Sequence, residues 1–255
     1  DEDVLARLGG DEFALIQAGF TDQRAAAIEL AQRITKLIAE PFQIGGQRVE
    51  IGTSIGISLA PQHGHDQEHL LRKADLALYR SKSAGRSCYT LYDDAMSAEL
   101  EARNTLEGDL RDAIAQCQFE VHYQPFYDAE TRERRGVEAL VRWQHPQRGL
   151  MPAADFMRIA EDCGLIVPIG EWVLQAAAAQ QQRWRARGLP QVRIAANVSA
   201  RQFWQGAVVG TVRQLLARGL LSRGSLEIEV TESAVMRDVA QTARLLEALR
   251  ELGVV

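Results

Sequence analysis

The apolar positions of this chain change their period several times, and each change marks a predicted element. Leu8 and the run Phe13-Ala14-Leu15-Ile16 flank Gly9-Gly10, which predicts two short strands around a tight turn. Ile28, Leu30, Ile34, Leu37 and Ile38 then fall near helical spacing, with Thr21 or Asp22 as N-cap and Pro41 as stop. Ile51, Thr53, Ile55, Ile57 and Leu59 alternate with Gly52, Ser54, Gly56 and Ser58. That alternation predicts a strand with one buried face, paired with a preceding strand through a turn at Gly45-Gly46 and closed by residues 61–64. A second helix is predicted over residues 68–84, with Leu70, Leu71, Ala74, Leu78 and Tyr79 inward and Gly85 at its end. Residues 87–92 read as a last short strand.

Residues 93–116 carry Met96, Leu100, Leu106, Leu110 and Ile114 along one side of a mainly charged segment, which predicts a connecting amphipathic helix. Asn104 and Gly108 are the places where it would bend or break. Beyond it the strand candidates are 119–123, 136–141, 192–198 and 225–230. Helical segments at 153–163, 168–187, 207–218 and 239–252 lie between or after them. Alternation of this kind predicts an α/β domain with a mostly parallel sheet. The expected organisation is therefore a domain over residues 1–92, a linker helix over 93–116, and a second domain over 117–255.

Composition narrows the class. The 255 residues are 46% hydrophobic and 25% charged, typical of globular domains. A net charge of −5 gives no support to a polymeric nucleic acid as partner. Cys88, Cys117 and Cys163 form no CxxC pair, which suits a reducing cytoplasm better than a disulfide framework. No apolar run approaches the roughly 18 residues that cross a bilayer, so no membrane contact by this segment is expected. The chain does not begin with Met, which leaves room for a preceding sensory or membrane-anchored part of a longer parent.

Several polar residues stand where strands should be apolar. Asp11 and Glu12 adjoin a glycine turn, where a phosphate can approach the backbone and paired carboxylates can hold Mg²⁺; the competing interpretation is a solvated hairpin tip. Glu138 lies inside the apolar stretch 137–141, and Asn197 ends the run Ile194-Ala195-Ala196. Glu227 and Glu229 alternate with Leu226, Ile228 and Val230, and Glu232 follows just past the strand. Glu138, Asn197, Glu229 and Glu232 are hard oxygen donors suited to Mg²⁺ or Mn²⁺, and polar groups at strand ends of a β/α barrel mark catalysis. Against this stands an edge strand with a solvated side and a turn at Asn197.

Two sets of motifs carry a family resemblance. RLGGDEFALI at residues 7–16, with the ASIGIS-like residues 52–58 and ADLALYRSKSAGR at 74–86, resembles the GGDEF family of diguanylate cyclases. The resemblance implies that Gly9 and Gly10 lie against GTP and that Asp11 and Glu12 serve metal binding and activation of the attacking hydroxyl. It makes Lys82 and Arg86 a triphosphate-binding pair, which i, i+4 spacing would put on one helix face. Asp3 matches the Asp of the family's inhibitory RxxD site. The family's other metal-binding Asp and guanine contacts belong before Asp1, so cyclase activity is not expected of this chain by itself.

From about Asp109 onward the chain resembles the EAL phosphodiesterases: YQP at 123–125, EALVRWQHP at 138–146, FMRIAEDCGLI at 156–166, GEWVL at 170–174, ANVSARQF at 196–203 and LEIEVTES at 226–233. The resemblance implies that Glu138, Asn197 and Glu229 bind catalytic metal, that Glu232 orders a nearby loop, and that Gln124 and Arg142 lie near the substrate phosphodiester. It places the family's DDFG carboxylates, catalytic lysine and final metal-binding glutamate after Val255, so these 255 residues alone are expected not to turn over substrate.

The implied fold class is α/β. It comprises the C-terminal part of a nucleotidyl-cyclase-like α+β GGDEF domain, a linker helix, and the N-terminal half of an EAL (β/α)₈ TIM-like barrel. The implied parent hydrolyses cyclic di-GMP to the linear dinucleotide with Mg²⁺ or Mn²⁺, its GGDEF part being active or regulatory. It would form a homodimer through the EAL part. The alternatives are a non-catalytic receptor for cyclic di-GMP or GTP, and a parent acting mainly as a cyclase.

Overall fold

A glycine turn joins the first two strands. The computed structural model describes residues 3–19, 21–231, 235, 236 and 238–255. β1 (Val4–Gly9) and β2 (Glu12–Ile16) pair antiparallel, with Gly10 in the left-handed region at φ +52°. The Arg7 guanidinium donates to the Gly10 carbonyl through Nε at 3.1 Å and Nη2 at 2.6 Å, fixing the turn. This hairpin is a two-stranded sheet of its own, and Val4, Leu5, Leu8, Phe13 and Ile16 are all exposed.

The chain divides into two compact units, residues 1–102 and 103–255. In the first, α1 (Gln23–Ile38) is capped by Asp22, whose carboxylate accepts the Ala25 N–H at 3.0 Å. Gly45 and Gly46, both at positive φ, turn β3 (Phe42–Ile44) into β4 (Gln47–Val49). The alternating run that follows contributes only β5 (Ile55–Ile57). Its partner is the parallel strand β6 (Tyr89–Leu91), not the β3–β4 hairpin that the alternation suggested.

Close approach of a helix accounts for the difference. α2 (Gln67–Ser83) lies so near Gly56 that a Cβ there would come within 2.0 Å of the Ala74 carbonyl oxygen and 2.3 Å of the Leu78 nitrogen. The helix accordingly buries its small residues. Ala77 and Ser81 are fully buried, whereas Leu71 and Tyr79, expected inward, are exposed. Ser81 Oγ donates to the Ile55 carbonyl at 2.9 Å and also bonds Thr90 Oγ1 at 2.7 Å, tying α2 to both strands. Gly56→Ala is expected to destabilise this unit by about 2–3 kcal/mol, because the obstructing atoms are helix backbone. An unchanged unfolding midpoint for the first unit in a thermal melt would contradict so close a contact.

α3 (Asp94–Ala115) runs unbroken through Asn104 and Gly108, and the division between the units falls inside it. A mid-helix glycine costs about 1 kcal/mol relative to alanine. Burial of Leu106, Leu110 and Ala113 in the core of the second unit offsets that cost.

The second unit is built on a mixed sheet of order β11-β10-β8-β7, with β9 also on β8. Its strands are β7 (Phe119–Tyr127), β8 (Arg134–His145), β9 (Gly149–Pro152), β10 (Ile194–Val198) and β11 (Leu226–Val230). β8, β10 and β11 run parallel, but β7 and β9 are antiparallel to β8, so the sheet is less uniformly parallel than the pattern predicted. The reason is local. Residues 128–133 are too short for a crossover and permit only a hairpin. Asp128 accepts the Thr131 and Glu130 N–H groups and an ion pair from Arg135. The Thr131 N–H first, and then Arg135, hold its carboxyl well below the usual carboxylate range.

The helices of this unit are α4 (Met157–Cys163), α5 (Ile166–Ala186), α6 (Ala200–Trp204), α7 (Ala207–Ala217) and α8 (Val239–Glu251). β9 and α6 had no predicted counterpart; α6 starts with a capping box between Ser199 and Gln202. Val137, Ala139, Val141 and Trp143 point from β8 into a core shared with Phe119, Phe156, Ile166, Ile169 and Val173. Successive strand residues alternate faces, so Glu138, Leu140 and Arg142 are turned to the other side.

Candidate active site

Strand register brings five polar residues of the second unit onto one face. Gln124 of β7 lies directly opposite Glu138 of β8, and Ala195 of β10 lies beside Glu138 in the parallel pairing. Asn197, two residues on, shares that face and is paired in register with Glu229 of β11. Arg142 follows further along β8 on the same side. The helix-covered face is closed by aliphatic and aromatic side chains, and this second face carries the acid, amide and guanidinium groups.

The groups interact. Asn197 Nδ2 donates to Glu138 Oε1 at 2.6 Å. The Glu229 carboxyl is pushed above its ordinary value, first by burial and then by the negative charges of Glu138 and Glu227. Glu227 is itself paired with Arg193 at 3.3 Å, which separates its role from that of Glu229. The Arg142 Nη1 donates to the carbonyl of Val141 at 2.9 Å, and among the described residues it has no acidic partner.

This donor set fits a hard divalent cation. Glu138 and Glu229 supply carboxylate oxygens, and Asn197 supplies a neutral amide whose oxygen becomes a donor when the group turns over. The Glu229 carboxyl, raised first by burial and then by the charges of Glu138 and Glu227, is one whose ionised form a bound cation would favour. Among the described residues there is no cluster of three or more His, Cys, Asp and Glu that could hold a metal; the set gathered here is two carboxylates and one amide. Glu232, expected to order an adjoining loop, lies outside the described residues.

The first unit presents a different picture. Gly9, Gly10, Asp11 and Glu12 form the exposed tip of the β1–β2 hairpin, and a Cβ added at either glycine would meet nothing within 4 Å. Lys82 sits in the last turn of α2, but the helix ends at Ser83 and Arg86 follows at φ +63°. The expected i, i+4 placement of Lys82 and Arg86 on one helix face is therefore corrected: Gly85, at φ +114°, turns the chain away before Arg86. Among the described residues no hydrogen bond or ion pair joins the hairpin tip to Lys82 or Arg86.

Sequence reasoning overlooked two residues on the site face, Glu120 and His122. Their signal was the period-2 spacing back from Gln124, visible once β7 is recognised as longer than its apolar core.

Parallel strands backed by helices, with an oxygen-donor cluster and a guanidinium that has no acidic partner among the described residues on the opposite face, define an α/β domain of the TIM-barrel type bearing a polar site. The particular family is shown by direct comparison. Residues 107–255 match the EAL domain family and residues 1–88 match the family described as diguanylate cyclase, GGDEF domain. The chain belongs to the EAL family, with a GGDEF domain part ahead of it.

The bifunctional diguanylate cyclase/cyclic di-GMP phosphodiesterase MucR of Pseudomonas aeruginosa is 42% identical over 253 residues, covering 99% of this chain and 37% of that protein. The cyclic di-GMP phosphodiesterase PdeR of Escherichia coli is 37% identical over 252 residues, covering 99% of this chain and 38% of that protein. This chain thus spans little more than a third of either relative. A solved structure of the PaMucR phosphodiesterase in a c-di-GMP complex is similar with a TM-score of 0.56 and 45% identity, over 59% of this chain and 61% of that one. Among the described residues no helix is long and apolar enough to cross a membrane.

Proposed function

We propose that the protein containing this chain hydrolyses cyclic di-GMP to the linear dinucleotide, with Mg²⁺ or Mn²⁺ held by Glu138, Asn197 and Glu229. The carrying observation is the gathering of these three residues on one sheet face, with Asn197 bonded to Glu138 and Glu229 registered against Asn197. A divalent cation bound there supplies positive charge that acidifies a water and offsets charge developing on the phosphodiester. Arg142 contributes a planar fork of N–H donors, unclaimed by any described carboxylate, that suits phosphate oxygens. Gln124, opposite Glu138, offers an amide for orienting the substrate. Glu232 would serve as the loop-ordering residue.

Within the same reading, the GGDEF part is active or regulatory. Asp11 and Glu12 would hold metal, Gly9 and Gly10 would admit the nucleotide, and Lys82 and Arg86 would meet the phosphates of GTP. The EAL part would pair with a second copy. The intact carboxylates at Asp11 and Glu12 favour a cyclase over a degenerate receptor.

The natural full-length protein, incubated with cyclic di-GMP and Mg²⁺ or Mn²⁺, is expected to release linear dinucleotide on chromatography, and chelation of the metal is expected to stop it. Absence of that product with either metal sinks the phosphodiesterase reading. Cyclic di-GMP formed from GTP in a parallel incubation establishes the cyclase.

A further inference from the structure

The register of β7 on β8 places Glu120 directly opposite Arg142. Side chains at such positions share a face with Cβ atoms about 5 Å apart, and an acid facing a base there can form a stabilising ion pair. Here it does not. The Glu120 carboxylate Oε1 meets His122 Nε2 at 2.8 Å instead, along its own strand. Among the described residues, Arg142 donates to the carbonyl of its neighbour Val141 and to no carboxylate, although it is half-buried and faces Glu120 across the strand pair.

We propose that His122 is a positioning residue that engages Glu120 and thereby keeps the Arg142 guanidinium open for a substrate phosphate. The inference rests on the cyclic di-GMP reading given above. Residues two apart on a strand lie on the same side, so the imidazole can reach the carboxylate without disturbing the ladder. An ionised carboxylate only accepts, so the hydrogen of this contact is carried by the ring's Nε2. Without His122, the fork of Arg142, directly opposite in the register, is a strong donor to which Glu120 can turn. A carboxylate paired there competes for the same two N–H groups that a phosphate oxygen pair would use. His122 then acts on substrate binding through Glu120 and Arg142, with no contact of its own to the substrate required.

The idea is tested by epistasis, with cyclic di-GMP titrated calorimetrically into the natural full-length protein in the presence of a chelator, so that no turnover intervenes. His122→Leu is expected to weaken binding on the order of tenfold, the size of one lost charge-assisted contact. His122→Gln retains an N–H donor for Glu120 and is expected to stay within about twofold of the natural protein. Adding Glu120→Gln to His122→Leu removes the competing charge and is expected to restore binding to within about twofold. A structural role for His122 predicts no such restoration. Normal binding by His122→Leu, or a double variant as weak as the single one, overturns the inference. Failure of the natural protein itself to bind cyclic di-GMP both under chelation and with Mg²⁺ or Mn²⁺ overturns the functional reading instead, and is seen before any variant is compared.

Discussion

Glu138→Ala in the natural full-length protein is expected to lower cyclic di-GMP hydrolysis on the order of a thousandfold, equivalent to about 4 kcal/mol of transition-state stabilisation. The expectation follows from the position of Glu138. It is the carboxylate that accepts the Asn197 amide, lies opposite Gln124, and raises the proton affinity of Glu229 by its charge. Its removal takes one of two carboxylates from the donor set and leaves the amide unanchored.

The fold should survive this change. Glu138 faces away from the apolar core, so the melting temperature is expected to stay close to that of the natural protein. Glu138→Gln separates charge from shape, since it preserves an oxygen acceptor for Asn197 while removing the negative charge. It should be as inactive as the alanine variant if charge is what the site needs. Hydrolysis at the normal rate in either variant removes Glu138 from the metal shell.

The second large effect is on stability. Trp143→Ala should cost the EAL unit about 3–5 kcal/mol, the range for deleting a fully buried aromatic side chain. Trp143 is fully buried, with its ring centroid 5.6 Å from that of Phe156, 6.0 Å from Phe119 and 4.7 Å from His145. Its Nε1 donates to Gln118 Oε1 at 3.1 Å, so truncation leaves a cavity and also strands a polar partner. Because a whole domain is stable by only about 5–15 kcal/mol, this is a large fraction. Chemical denaturation followed by fluorescence should show the midpoint of this unit falling sharply; an unmoved midpoint contradicts the packing. Activity should fall with it, since Trp143 adjoins Arg142 on the strand that also carries Glu138.

Local patterns were legible wherever one residue type had one local job. The Gly9-Gly10 turn, the Asp22 cap and the helices α1, α5 and α7 follow from turn chemistry, capping and periodicity. Patterns were misleading where small residues were involved. The Gly/Ser alternation around Gly56 suggests a simple half-buried strand, yet it exists to let α2 approach, and helix-packing distance is not written in strand period. Likewise, Gly108 looks like a helix breaker in isolation. It is carried within α3 because neighbouring leucines are buried by residues far along the chain.

What the sequence by itself determined was the inventory: most of the elements, which family motifs are present, and that Glu138, Asn197 and Glu229 are polar exceptions in apolar strands. Sequence spacing cannot say which strands lie side by side, because pairing depends on long-range burial and on connections such as the short turn at Asp128. Only the tertiary structure decided that Asn197 reaches Glu138 across 59 residues of chain, and that Glu120 faces Arg142 yet bonds to His122. Register is the physical reason. A shift of one residue in β7 or β10 would turn these side chains into the core, so the apolar face that fixes the pairing also assembles the site.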